Sequence, residues 1–166
     1  HRAGLSADQQ RAWQDAFEAA GSAEPTDLRL ALDRYREAEA IDGEHALLAY
    51  RIARTLDRLG QKSEASAYYL EARELDVCPL RIIQPLEEVL SRIAADNGTP
   101  LVDAAAVLAA QAPDAIPGFD CYLDHVHPNI GGHQKIARAV AAEARLRHLT
   151  PGATTWQEEA RQHAYA

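Results

Sequence analysis

Six positions of this chain repeat at a shift of 34 residues. Ala31, Tyr35, Glu37, Ala38, Ile41 and Asp42 return as Ala65, Tyr69, Glu71, Ala72, Leu75 and Asp76. A fixed period of this length implies a stacked helical unit, because one such unit cannot bury its apolar face alone. Within each copy, alanine to tyrosine is four residues and tyrosine to alanine three, which puts all three on one helix face. Between the copies, Ala49, Ile52, Ala53 and Leu56 form the apolar stripe of an intervening helix, and Gly60 is placed to end it. Upstream, Ser6 and Gln9 have capping-box spacing before a helix containing Trp13 and Phe17. Gly21-Ser22 is expected to break that helix, with Pro25 in the first turn of the next. An ordinary helical hairpin bundle with chance alanine spacing competes with the repeat; a register held at six positions favours the repeat.

This alternation of small residues and tyrosine resembles the second helix of a tetratricopeptide repeat. Only about two repeats fit, fewer than the three or so an independent array needs. The resemblance therefore implies that the helices lean on another part of the protein.

After Asp76 the pattern changes. Cys78-Pro79-Leu80-Arg81 interrupts the helices, since proline disfavours helix at the residue before it. Ile83, Leu86, Leu90 and Ile93 form a new helical stripe that stops near Asn97-Gly98. Pro100 to Asp103 reads as a short buried strand, Ala104 to Gln111 as a helix, and Pro113 to Gly118 as a loop. Phe119 to Leu123 reads as a short extended segment. A last long helix is expected from Ile130 to Leu149, presenting Ile136, Val140 and Ala144, and Thr155 with Glu158 repeats the capping-box spacing in the tail. These shifts divide the chain into residues 1–76, 77–150 and a tail of 151–166.

The sharpest chemical signal is Asp124-His125-Val126-His127-Pro128-Asn129. An imidazole suits the removal of a proton from a hydroxyl because its unperturbed pKa lies near neutrality. A carboxylate three residues earlier can fix its tautomer and stabilise the imidazolium. Pro128 stiffens the exit, and Asn129 can cap the following helix. By spacing alone, an idle polar loop and a metal site are both open. His125, His127, His133 and Asp124 are the donors a metal would use.

The same block, with Gly131-Gly132-His133 and the helix after it, resembles the last motif of the SGNH/GDSL serine ester hydrolases. A subgroup of that family joins tetratricopeptide-like helices to the hydrolase domain. Its signature is similar to the stretch from Ala65 through Leu75-Asp76-Val77-Cys78-Pro79-Leu80-Arg81. The resemblance covers roughly residues 30–149. It implies Asp124 and His127 as the catalytic Asp–His pair of a Ser-His-Asp triad, an ester substrate (a small molecule or a carbohydrate ester), and no metal or organic cofactor. The departures are as informative. The family's Gly-Asp-Ser block, its oxyanion-hole glycine and its Gly-x-Asn-Asp block are absent, and Ser6, Ser22, Ser63, Ser66 and Ser91 sit in helical or capping contexts. Nor is there room for the several parallel strands of a doubly wound sheet.

The expectation is a mainly α chain, α+β overall. Tetratricopeptide-like hairpins precede the C-terminal remnant of an α/β/α hydrolase domain. The chain is expected to be a C-terminal fragment, inactive alone, with the serine in a missing N-terminal half or a second chain; the lack of any methionine points the same way. The competing class is a protein-interaction module that binds a peptide through the helices. A net charge of −8, from 17 basic and 25 acidic residues, argues against a nucleic-acid partner. No apolar run reaches the roughly 18 residues of a membrane span, so a soluble domain is expected, with no compartment indicated. Arg81, held by the Cys-Pro turn, is either a substrate-binding cation or the partner of a nearby carboxylate. Cys78 and Cys121 leave a bridge open. Trp13 and Trp156 read as packing residues, and His45, His148 and His163 as solvent-facing.

Overall fold

The computed structural model describes residues 4–147. Among them are seven α-helices: α1 Ala7–Ala23, α2 Leu28–Ile41, α3 Ala46–Arg58, α4 Lys62–Glu74, α5 Gln84–Asp96, α6 Ala104–Ala109 and α7 Ile130–Leu146. The fold is mainly helical. Two compact units are present, one ending at Glu88 and the other beginning at Val89. No helix among the described residues is long and apolar enough to cross a membrane. The second capping-box spacing, Trp156, His148 and His163 lie outside the described residues.

In the first unit α1 pairs with α2 and α3 with α4, while α2 also packs on α3. The α1 cap forms as the spacing demands: Ser6 Oγ accepts from the Gln9 amide at 3.2 Å, and the Gln9 side chain accepts from the Ser6 amide at 3.0 Å. Replacing Ser6 with alanine is expected to cost about 1 kcal/mol in urea denaturation, the usual worth of such a cap. The expected break at Gly21-Ser22 does not occur. Helix α1 runs through both residues and ends at Ala23. Ser22 returns its hydroxyl to the Glu18 carbonyl, and Gly21 lies opposite the Tyr35 hydroxyl, so neither opens the helix. Pro25 consequently sits in the turn, and Asp27 caps α2 through the amides of Arg29 and Leu30.

The core of this unit is Trp13, Ala20, Leu32, Tyr35, Ala38, Leu48, Ile52, Leu56 and Ala65. The stripe expected on α3 is buried throughout, and Gly60 closes the helix at φ +79°, where a side chain would be strained. Trp13 stacks on Phe17 at 5.0 Å and donates its indole N–H to the Asp42 carbonyl at 2.9 Å. His45 is not solvent-facing. It stands before α3, half-buried, with its ring 5.0 Å from that of Trp13. The Tyr35 hydroxyl donates to Glu24 at 2.6 Å, and Glu24 also receives Arg51 at 3.2 Å, so the buried phenol is satisfied. Burial and the Glu24 carboxylate together push the Tyr35 pKa up. The two copies of the 34-residue pattern differ in depth. Ala31, Tyr35 and Ala38 are fully buried, whereas only Ala65 is buried in the second copy and Tyr69 and Ala72 are half-buried. The reason is position: α2 packs on both α1 and α3, while α4 packs chiefly on α3.

In the second unit α6 packs against α7. The strand expected at Pro100–Asp103, and with it the α+β character, is not formed. The described residues contain no strand, only an isolated bridge between Tyr122 and Pro128. A lone extended segment has no ladder partner for its backbone groups. Leu101 is exposed, and Asp103 instead caps α6 by accepting from the Ala106 amide at 2.8 Å. Helix α5 ends as expected, with Gly98 at φ +61°. Its stripe, however, is uncovered: Leu86, Leu90 and Ile93 are all exposed. The face expected on α7 is half-covered, with Ile136 and Ala144 half-buried and Val140 exposed.

Candidate acid–base site

The segment from Gly118 to Gly132 is folded by its own backbone before any catalytic geometry is considered. The amides of Cys121 and Tyr122 both donate to the Gly118 carbonyl. The Asn129 amide donates to the Cys121 carbonyl at 2.9 Å, and the Leu123 amide to the His127 carbonyl at 2.8 Å. These last two bonds close a loop whose tip is Asp124-His125-Val126. Asn129 then caps α7, its side-chain oxygen accepting from the Gly132 amide at 2.9 Å, while its amide group donates to the Phe119 carbonyl at 3.2 Å. Gly132 is buried and backs directly onto the loop. A Cβ there would lie 2.4 Å from the Cys121 carbonyl oxygen and 3.0 Å from the Pro128 Cβ.

Asp124 uses both carboxylate oxygens. Oδ1 accepts from the amides of Val126 at 2.8 Å and His127 at 2.7 Å; Oδ2 lies 2.8 Å from His127 Nδ1. The His127 amide, the Val126 amide and then the His127 ring hold the Asp124 carboxyl well below the usual carboxylate range. An ionised carboxylate only accepts, so Nδ1 carries the proton of this bond, and in the neutral ring the lone pair is then on Nε2. The His127 side chain is 73% exposed, so that lone pair is open to a reacting hydroxyl. The sign of the pH effect follows. The loop's gain from an ionised Asp124 is present above the ordinary value of 3.8 and is lost as pH falls through the depressed one. A carbon NMR titration of Asp124 is therefore expected to find its midpoint below 3.8. A midpoint at or above that value would contradict the backbone cage.

Of the residues expected to matter, Asp124 and His127 come together. Arg81 is exposed in the irregular stretch between α4 and α5 and has no carboxylate partner among the described residues. His125 and His133 do not join the dyad: among the described residues no three His, Cys, Asp or Glu side chains gather as a metal site. No serine hydroxyl is hydrogen-bonded to His127. Ser6 caps α1, Ser22 returns to its own helix, and Ser63, Ser66 and Ser91 lie on α4 and α5. Both cysteines are unbridged, Cys78 exposed and Cys121 buried. Burial, then the Asp120 carboxylate at 3.2 Å, pushes the Cys121 thiol up, which keeps it protonated and unreactive near neutral pH.

Sequence reasoning missed the scaffold of the loop. Asp120 folds back to accept from the Gly118 amide at 2.7 Å, and Lys135 reaches the buried Cys121 sulfur at 3.5 Å. Asp120 two residues after a glycine was the readable sign of that turn. Nothing in the spacing announced Lys135. Comparison with family models, with curated proteins and with solved structures gave no match.

Proposed function

We infer that the chain supplies the acid–base half of a serine-dependent ester hydrolase. The observation that carries this reading is the bond between Asp124 Oδ2 and His127 Nδ1 at 2.8 Å, with the other ring nitrogen left open. In the reaction, His127 Nε2 takes the proton of a serine hydroxyl as the oxygen attacks an ester carbonyl. The imidazolium returns that proton to the departing alcohol. The same nitrogen then activates the water that hydrolyses the acyl-enzyme, and Asp124 holds the ring and stabilises its charge throughout. The serine comes from outside these 166 residues, and no metal or organic cofactor takes part. The paired helices α1 to α4, with their 34-residue register, support reading the first unit as tetratricopeptide-like hairpins, followed along the chain by the remnant of an SGNH-type domain.

The test compares p-nitrophenyl acetate hydrolysis by the 166-residue chain with hydrolysis by the product of its entire gene. Saturable turnover is expected only for the latter. It should fall about 10⁶-fold on His127→Ala, the usual cost of losing a triad base. Saturable turnover by the 166 residues alone, lost on His127→Ala, would overturn the external serine. Turnover by neither would overturn the hydrolase reading.

The second reading, a peptide-binding module, is favoured by the same hairpins and needs no open imidazole. It predicts that His127→Ala changes no activity of the entire gene product.

A further inference from the structure

The neck of the loop that carries the dyad is a pair of antiparallel segments. Tyr122 and Pro128 form its bridge, flanked by the Asn129-to-Cys121 and Leu123-to-His127 backbone bonds. Bonds in that arrangement set Leu123 directly opposite His127, and Cys121 opposite Asn129. Opposite residues project from one face with Cβ atoms about 5 Å apart, so the Leu123 side chain stands beside the imidazole. Leu123 is 69% exposed, next to a ring that is itself open. The other two residues of that face have nothing to offer a ligand. Cys121 is buried, and the Asn129 side chain is spent at both ends, on the Phe119 carbonyl and the Gly132 amide.

An ester reacting at His127 has a fixed orientation there. The nitrogen that takes the serine proton also returns it to the departing alcohol. The alcohol oxygen, not the far end of the acyl chain, must therefore come within hydrogen-bond reach of Nε2. A side chain on the imidazole's own face then meets the alcohol side of the substrate. We propose that Leu123 is a specificity residue that packs on the alcohol part of the ester and selects alkyl or aryl alcohols over sugars. This rests on the serine-hydrolase reading above and names the substrate class of the same site. An alkyl group gains by covering the exposed leucine. A sugar hydroxyl placed there gives up water and finds no partner on that face, a net loss.

The test measures acetate release by the product of the entire gene from methyl, ethyl and butyl acetate, and from a methyl glucoside acetylated at its primary hydroxyl. From methyl to butyl acetate kcat/KM should rise about tenfold, since each fully covered methylene is worth about a factor of four. The sugar acetate should fall about tenfold or more below butyl acetate. Leu123→Ala should flatten the alkyl series, and Leu123→Asn should bring the sugar acetate level with butyl acetate. Leu123→Ile, which keeps the apolar volume, should retain the original order. Nitrogen-15 NMR finding the His127 proton still on Nδ1 in these variants separates a lost contact from a collapsed loop. A flat alkyl series in the original protein, a preference for the sugar acetate, or an order untouched by Leu123→Ala and Leu123→Asn would overturn the inference and leave the hydrolase reading standing. Turnover of none of these esters, p-nitrophenyl acetate included, would overturn the hydrolase reading and the inference with it.

Discussion

Trp13→Ala is expected to remove about 3–5 kcal/mol from the stability of the first unit, the range for deleting a large buried aromatic. Trp13 is 1% exposed and is the largest side chain in that core. Its loss opens a cavity among Phe17, His45 and the α1–α2 packing, which small neighbours such as Ala20 and Ala38 cannot fill. It also removes the indole N–H donor from the half-buried Asp42 carbonyl, and the lost hydrogen bond costs further. Since small domains are stable by only about 5–15 kcal/mol, the change should bring the unit close to unfolding. Urea denaturation followed by far-ultraviolet circular dichroism reads the loss without relying on tryptophan fluorescence. A loss below about 1 kcal/mol would mean that Trp13 does not anchor this core.

Gly132→Ala should have the second largest effect, and a local one. The added methyl group would meet the Cys121 carbonyl oxygen at 2.4 Å, a backbone atom that cannot swing aside. Either α7 or the loop must move, at a cost of about 3 kcal/mol, the upper range for overpacking. The same carbonyl accepts from the Asn129 amide, so movement there opens the loop that holds Asp124 against His127. Amide NMR spectra should show shifted or broadened resonances from about residue 119 to 133, with α1 to α4 unchanged. Gly131→Ala is the control, because its Cβ meets only the Asn129 side-chain oxygen at 3.3 Å. Equal, small responses of the two variants would contradict the close contact.

The first unit was readable because its signals are local and redundant. Ser6 with Gln9, the alanine–tyrosine register and Gly60 each specify helix position through neighbours a few residues away. Gly21-Ser22 misled for the opposite reason. A glycine in a helix costs about 1 kcal/mol, which packing against Tyr35 and a serine bonded back to Glu18 can offset. The strand at Leu101–Asp103 failed because a strand is made by its partner, and the described residues offer none. In the site, Asp124 and His127 were legible through their spacing. The staples that orient them were not, because Asn129 to Phe119, Asn129 to Cys121 and Gly132 against Cys121 are contacts across the loop.

The central claim is that His127 is a base poised by Asp124, and its tautomer tests that claim most directly. In nitrogen-15 NMR of the uniformly labelled chain at a pH where His127 is neutral, the account predicts the proton on Nδ1 and a bare Nε2. Asp124→Ala should return the ring toward the Nε2-protonated form that free histidine side chains favour. A neutral His127 already protonated on Nε2 in the unsubstituted chain would contradict the account, because the lone pair of such a ring is on Nδ1, turned toward Asp124 rather than toward a serine.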